Sequence, residues 1–170
     1  SAGFLLAFTA LFNADDKVGV ATPGYPSYRQ ILKALSLQPI DIPTQARTGH
    51  KLRAEDVAEY SLDGLLVASP ANPTGTMLDK GSLKALADHA ERLGIGFISD
   101  EIYHGIEYDK KATTALEVTN RAYIINSFSK FFSMTGWRIG WLVVPEDHVR
   151  SVARLAQNMF ICPPHVSQIA

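Results

Sequence analysis

The fold is decided by residues 83–105, which read LKALADHAERLGIGFISDEIYHG. In the first part of this stretch apolar residues recur three and four positions apart, which predicts a helix that buries one face. Asp79 lies before that helix as its N-cap, and Gly94 ends it. Residues 95–99 are then mostly apolar and predict a short buried strand. The stretch thus contains a helix, a stop and a strand, and polar side chains begin where the strand ends.

The same alternation runs through the rest of the chain. Apolar runs predict further strands at residues 18–21, 38–43, 65–68, 123–126 and 139–144, and helical spacing predicts helices at residues 4–12, from Pro26 onward and at residues 149–156. The segment Gln38–Pro43 is assigned to an edge because a sheet edge tolerates proline. Strands that are apolar on both faces and separated by helices predict an α/β protein. The expected architecture has three layers, α/β/α, around a mostly parallel sheet with one antiparallel return strand.

The return strand begins next to Arg138, within the segment GWRIGW. The flanking tryptophans and glycines predict close packing around this residue rather than a solvated surface. Arg138 follows Lys130 by eight residues. Two charged side chains are therefore expected in a segment whose neighbours predict close packing.

Composition narrows the classes of function. A chain of 170 residues with 46% apolar and 19% charged residues is long and apolar enough to bury a core. Sixteen basic residues against 17 acidic ones give a net charge of −1, which argues against nucleic acid or anionic lipid as a partner. The apolar run 4–12 is too short to span a membrane, and the five histidines have no metal-ligand spacing. Cys162 is the only cysteine, so no internal disulfide is available and a reducing, cytoplasmic location is expected.

Polar side chains follow the predicted strands, and ligands of parallel sheets bind beyond the carboxyl ends of the strands. Each of these residues alone has an ordinary explanation as a turn residue, a helix cap, a solvated lysine or a half-buried tyrosine. Together they supply an amine, a carboxylate, two phenols, an amide and a guanidinium. That set fits a pyridine-ring cofactor with a phosphate tail. The residues are Tyr25, Asn72, Asp100, Tyr103, Ser127, Lys130 and Arg138.

Four motifs carry a family resemblance. They are PGYPSY at 23–28, SPANPTG at 69–75, SDEIYHG at 99–105 and SFSKFFSMTGWRIG at 127–140. In this order they resemble the pyridoxal-phosphate-dependent aminotransferases of class I/II, fold type I. The resemblance implies transfer of an amino group between an amino acid and a 2-oxo acid, with pyridoxal 5′-phosphate as cofactor and a homodimer as the intact protein.

The resemblance also implies a place for this chain within the family's fold. Residues 1–170 match the central part of the cofactor-binding large domain, without the N-terminal arm and the C-terminal small domain that supplies the arginine for the substrate carboxylate. The chain starts at Ser1 without methionine and stops at Ala170 within a helical pattern, which agrees with an excerpt of a longer protein.

The family's catalytic roles carry over to Lys130, Asp100 and Tyr103, and contacts with the cofactor ring carry over to Asn72 and Tyr25. Lys130 matches the lysine that forms the internal aldimine and then moves the proton between substrate and cofactor. Asp100 matches the aspartate that pairs with the pyridine nitrogen. Tyr103 and Asn72 match the groups that hydrogen-bond the phenolic oxygen, and Tyr25 matches the aromatic residue that stacks on the ring.

The phosphate ligands carry over in the same way. Arg138 and Ser127 match them, and a guanidinium binds phosphate oxygens in pairs. Ser129 is expected nearby. Ser1, Ala2 and Gly3 resemble the end of the small-residue turn that presents backbone N–H groups to the phosphate at a helix start.

Other interpretations compete with transamination. Ser127 to Lys130 satisfies the S-x-x-K pattern of acyl enzymes, but the partner motifs S-D-N and K-T-G are missing. Other fold-type-I enzymes, such as C–S lyases, use the same cofactor residues. A non-catalytic, aminotransferase-like effector domain of a transcription regulator is a further alternative.

Overall fold

A six-stranded sheet lies at the centre of the computed structural model, which describes residues 1–170. Its strands are β1 (Lys17–Thr22), β2 (Gln38–Pro43), β3 (Gly64–Ala68), β4 (Gly96–Asp100), β5 (Tyr123–Ser127) and β6 (Gly140–Val143). Their order across the sheet is β2-β1-β3-β4-β5-β6. All neighbouring pairs are parallel except β5 and β6, which are antiparallel. The predicted mostly parallel sheet with one antiparallel return strand is confirmed.

Helices cover both faces of the sheet. They are α1 (Ala2–Leu11), α2 (Pro26–Ala34), α3 (Ala54–Val57), α4 (Lys80–Leu93), α5 (Val149–Phe160) and α6 (His165–Ile169). Side chains of α3 and α4 pack on one face, and those of α1, α2 and α5 pack on the other. The three-layer α/β/α architecture is therefore confirmed. None of these helices combines the length and the hydropathy that a membrane span requires.

The strands are apolar on both faces because each face meets its own core. In β3, Leu65 and Val67 belong to the core under α4, whereas Leu66 belongs to the core under α1 and α2. Successive strand side chains point to opposite faces, so an uninterrupted apolar run fills both cores at once. This explains why the strand sequences show no alternation of apolar and polar residues.

Helix α4 begins and ends as its sequence predicts. The carboxylate of Asp79 accepts a hydrogen bond from the N–H of Ser82 at 2.9 Å and so caps the helix. Gly94 adopts the left-handed conformation, with φ of 65°, directly after the last helical residue. The chain then enters β4 within two residues, which delivers Asp100 to the carboxyl edge of the sheet.

Strand β2 forms one edge of the sheet, as its prolines predict. Pro39 lies opposite Val18 of β1, and no strand pairs with the outer side of β2. Asp41 of this strand accepts a hydrogen bond from Arg29 Nε at 2.6 Å, which ties the edge to α2.

The expectation of close packing around Arg138 is confirmed at Gly140, where a side-chain carbon would lie 2.5 Å from the carbonyl oxygen of Asn126, but it is wrong for the tryptophans and for Arg138 itself. Trp137 is 41% exposed and Trp141 38%, and Arg138 itself is exposed in the turn before β6. The physical reason is position: β6 is the other edge of the sheet and has only β5 beside it.

Candidate active site

The carboxyl ends of four parallel strands meet at one edge of the sheet. The loops that follow β1, β3, β4 and β5 carry Tyr25, Asn72, Tyr103 and Lys130 respectively, and Asp100 is the last residue of β4. Parallel strands in one sheet place the loops after them side by side. The structure therefore gathers most of the predicted site residues along one edge.

Asp100 is the buried carboxylate of this edge, with 5% of its surface exposed. Its Oδ1 accepts a hydrogen bond from the N–H of Ile102 at 3.1 Å, and its Oδ2 accepts one from the hydroxyl of Tyr28. Burial raises the pKa of the Asp100 carboxyl above its ordinary value, although these two hydrogen bonds act in the opposite direction. Asp100 forms no salt bridge. A buried carboxylate without a cationic partner is well placed to bind a cationic or N–H-bearing ligand.

Tyr28 reaches Asp100 from the first turn of α2. The helix begins at Pro26, so Tyr28 lies about one turn after Tyr25 and the two rings meet edge to face at 5.4 Å. Burial, together with the Asp100 carboxylate, raises the pKa of the Tyr28 hydroxyl far above its ordinary value. The hydroxyl is therefore a fixed donor. Tyr25 is 39% exposed and leaves its ring accessible to a ligand.

Asn72, Tyr103 and Lys130 come together from three different loops. Asn72 Nδ2 donates a hydrogen bond to the hydroxyl of Tyr103 at 3.3 Å. The Nζ atom of Lys130 lies 5.6 Å from the centroid of the Tyr103 ring, within the range of a cation–π contact. An amine, a phenol and an amide thus face one another although 58 residues separate the first from the last (130 − 72 = 58).

A groove of about 660 Å³ opens beside Asn72 and Tyr103. Met77, Ile106 and Tyr108 also contribute to its walls. The groove gives a small ligand direct access to the Asn72–Tyr103 pair.

Ser127 and Arg138 lie at the other end of the edge, around the loop after β5. The hydroxyl of Ser127 accepts a hydrogen bond from the N–H of Ser129 at 3.1 Å. Arg138 has a positive φ of 54°, and its Nη1 donates to the carbonyl of Thr135 at 2.7 Å. Arg138 forms no salt bridge, so the rest of its guanidinium fork remains available for an anion.

The start of α1 lies beside β5. Helix α1 begins at Ala2, and a side-chain carbon at Gly3 would lie 3.2 Å from Ile125 of β5. The predicted residues Ser1, Ala2 and Gly3 thus start a helix that packs closely on β5.

Two residues of this edge were not predicted as site residues. The helical spacing of α2 placed Tyr28 on a buried face, and its hydroxyl was the only sign of a polar role. Glu101 resembled a capping residue, but no helix follows it; it is 3% exposed and its Oε1 accepts a hydrogen bond from the N–H of Ala115 at 2.8 Å. Only the folded chain brings their distant partners to them.

Comparisons with known proteins all match aminotransferases. The sequence model of the family "Aminotransferase class I and II" matches residues 1–170. A valine–pyruvate aminotransferase of Mycobacterium tuberculosis H37Rv is 47% identical over all of this chain and 45% of its own length. An aspartate aminotransferase of Sulfolobus acidocaldarius is 33% identical over 97% of this chain and 43% of its own length. The chain thus spans less than half the length of these curated relatives.

Solved structures agree in fold as well as in sequence. A crystal structure of an aminotransferase from Silicibacter pomeroyi superimposes with a TM-score of 0.95 at 64% identity. The match covers 98% of this chain and 45% of the Silicibacter chain. The maleate complex of Thermus thermophilus aspartate aminotransferase gives a TM-score of 0.92 at 29% identity, over 98% of this chain and 44% of that one. With the sheet topology, the clustered strand-end residues and a family match over its full length, this chain belongs to the class I and II aminotransferases.

Proposed function

We propose that this chain is the cofactor-binding part of a pyridoxal-phosphate-dependent aminotransferase that moves an amino group between an amino acid and a 2-oxo acid. The observation that carries the proposal is the grouping at the sheet edge: a buried Asp100 without a cationic partner, and Lys130 beside the Asn72–Tyr103 pair. We further propose that residues 1–170 are the central part of the large domain.

The residues present fit pyridoxal 5′-phosphate at both of its ends. Asp100 is buried and lacks a counter-charge, as a partner for a protonated ring nitrogen should be. Arg138 keeps most of its guanidinium donors free, as a phosphate ligand should. Lys130 lies on the same β5–β6 connection as Arg138, with its amine 5.6 Å from the centroid of the Tyr103 ring. The donor set therefore matches a protonated ring nitrogen, an aldehyde and a phosphate in a single ligand.

Each residue then has a distinct task. Lys130 would hold the cofactor through its amine and, once freed by substrate, would move the proton at the substrate Cα. Tyr103 and Asn72 would donate hydrogen bonds to the phenolic oxygen, and Tyr25 would stack on the ring. Asp100 would keep the ring nitrogen protonated. When bound, the cofactor supplies an electron sink for the charge left on the substrate Cα.

A separate group of donors would hold the phosphate. Arg138 would offer its guanidinium fork, and Ser127 and the backbone N–H groups at Ser1 and Ala2 would complete the site. Anchoring the phosphate in this way would fix the ring relative to Lys130. The residues on the groove side would then contribute to the choice of substrate.

The experiment that tests the cofactor assignment is reductive trapping in the whole protein. Borohydride treatment should abolish the visible absorption band and leave a pyridoxyl mass on the peptide that contains Lys130. Lys130→Ala should lose the label and turnover, whereas Lys33→Ala, at an exposed lysine at the end of α2, should keep both. A label on another lysine would overturn the assignment.

Substrates are tested by single-turnover reactions with a panel of amino acids. The relative at 47% identity is named for valine and pyruvate and the one at 33% for aspartate, so the panel begins with L-valine and L-aspartate. A transaminase should convert the bound cofactor to its aminated form and release the matching 2-oxo acid. Release of ammonia or thiol with return of the aldehyde would indicate a lyase instead.

The intact protein is proposed to be a cytoplasmic homodimer. The support is the family membership and, for the compartment, the single free Cys162, which is exposed and unpaired. Sedimentation of the whole protein at micromolar concentration tests the dimer.

A further inference from the structure

The loop after β4, residues 101–114, touches both neighbouring site loops. On one side, His104 Nε2 lies 2.9 Å from the carbonyl oxygen of Ser69, which begins the loop that carries Asn72. On the other side, Gly105 has φ of 92°, and a side-chain carbon there would lie 2.6 Å from the ring of Phe131, next to Lys130. The β4 loop is therefore packed between the two loops that supply the amide and the amine.

Glu101 fixes both ends of this loop. Its Oε1 accepts hydrogen bonds from Ser99 Oγ at 3.1 Å, from Thr114 Oγ1 at 3.1 Å and from the N–H of Ala115 at 2.8 Å. Three donors therefore converge on one oxygen of a buried carboxyl group. The other oxygen, Oε2, lies 3.5 Å from His104 Nδ1.

His104 contacts a different partner with each ring nitrogen. The Ser69 carbonyl only accepts, so Nε2 carries a hydrogen and donates to it at 2.9 Å. Nδ1 faces Glu101 Oε2 at 3.5 Å. His104 thus links the end of β4 to the loop after β3. Glu107, whose carboxylate accepts from the N–H of Gly105 at 2.6 Å, is the other acidic group near this imidazole.

This link controls the distance between two groups of the site. Tyr103 is the residue directly before His104, and Asn72 lies three residues after Ser69 (72 − 69 = 3). Their side chains meet at 3.3 Å. We propose that His104 is a positioning residue whose contacts with Ser69 and Glu101 hold Asn72 and Tyr103 at the spacing needed to bind the cofactor's phenolic oxygen together. The inference rests on the proposed function, because it concerns the same cofactor.

Two pairs of substitutions test the link in the whole protein loaded with pyridoxal 5′-phosphate. His104→Leu removes both contacts, and His104→Asn removes the contact with Ser69, because its amide reaches only the position of Nδ1. His104→Gln retains an amide N–H that can reach Ser69. Glu101→Gln can donate to Nδ1 while its oxygen accepts the three existing donors. The first two substitutions break the contact with Ser69 and the last two keep it.

The readouts are the pH midpoint of the bound cofactor's visible absorption and the affinity for the cofactor. Loss of the link should misalign the donors to the phenolic oxygen, raising the midpoint by roughly half a unit to one unit and weakening cofactor binding about tenfold. His104→Gln and Glu101→Gln should stay close to the unsubstituted protein in both readouts.

The matched control is His148→Gln. His148 lies after β6, where its Nδ1 lies 2.7 Å from the hydroxyl of Tyr123, the first residue of β5. This contact is at the amino end of the strand, away from the site, so the substitution should leave both readouts unchanged. Near-ultraviolet circular dichroism establishes that each variant folds, and His104→Asn replaces His104→Leu if the latter does not. A folded link-breaking variant with an unchanged midpoint and affinity would overturn the inference. Absence of a cofactor band in the unsubstituted protein would instead overturn the proposed function.

Discussion

The two ends of the candidate site differ in how much of their geometry the chain fixes by itself. At the inner end, Asp100 is 5% exposed and accepts two hydrogen bonds, and Asn72 is already bonded to Tyr103. At the outer end, Arg138 is exposed and its side chain donates a single hydrogen bond, to the carbonyl of Thr135.

The difference indicates that the two ends recognise a ligand in different ways. A buried carboxylate whose position is fixed by two donors offers a preorganised partner, and its interaction strengthens in a site that excludes water. An exposed guanidinium keeps its rotamer freedom and its free donors until an anion orders it. We therefore expect substitutions at the inner end to change chemistry and those at the outer end to change retention of the cofactor.

The largest effect is expected from Asp100→Ala, at the inner end. Loss of the buried Asp100 carboxylate should lower kcat about a thousandfold, the size of a major electrostatic contribution to catalysis. Turnover is measured in the whole protein at saturating cofactor. Asp88→Ala, which removes a surface salt bridge to Lys84 on α4, is the control and should change kcat little. If Asp100→Ala turned over at the wild-type rate, Asp100 would not be the residue that supports the cofactor's electron sink.

Arg138→Lys, at the outer end, should give the next largest effect, and on a different quantity. The charge is kept but the two-pronged contact is lost, so cofactor affinity should fall about thirtyfold while kcat at saturating cofactor stays near wild type. Equilibrium titration with the cofactor gives the affinity. Arg121→Lys provides the comparison, because Arg121 pairs with Asp147 near the amino end of β5, away from the site. Unchanged affinity in Arg138→Lys would contradict the assignment of the outer end.

Tyr28→Phe tests whether the Tyr28 hydroxyl positions Asp100, because it removes this donor and leaves the Asp100 carboxylate in place. The substitution keeps the ring packing but removes one donor to Asp100, which should lower kcat about tenfold and lower the free energy of unfolding by about 1–2 kcal/mol. Steady-state kinetics and urea denaturation measure the two effects. The same change at Tyr60, which packs against the core on the other face of the sheet, should have neither effect. If Tyr28→Phe matched the unsubstituted protein in both assays, the hydroxyl would have no part in orienting Asp100.

The smallest effect concerns pH and the cofactor-free protein. Because burial raises the native pKa of Asp100, the folded chain binds more protons than the unfolded chain above about pH 4, the ordinary pKa of aspartate. Stability should therefore fall as pH rises from about 4 through the raised native pKa. Asp100→Asn removes this contribution, so its stability should fall less over the same range. Urea denaturation at a series of pH values checks the sign, and equal slopes for the two proteins would refute it.

Local sequence patterns were sufficient to predict most of the fold. The edge position of Gln38–Pro43, the Asp79 cap and the Gly94 stop all depend on residues within a few positions of one another, and all three are confirmed. The exposure of Trp141 was not predictable from its neighbours, because it depends on which strand ends the sheet.

The sequence predicts which residues form the candidate site but not their contacts. Strand ends and motifs predict Asp100 and Lys130 as site residues, and both this assignment and their chemical roles stay predictions. The bond from Tyr28 to Asp100 joins residues 72 positions apart, and the contact of His104 with Ser69 joins residues 35 positions apart. No local pattern encodes such pairs, since they exist only once the parallel strands have stacked their loops together.

The prolines of β2 also bear on how the chain behaves in a crowded solution. An open sheet edge invites another strand to add to it, and chains can join into aggregates in that way. Pro39 has no amide hydrogen to offer an incoming strand, and Asp41 puts a charge on the same border. Strand β2 therefore resists the addition of a strand from another molecule, which favours solubility.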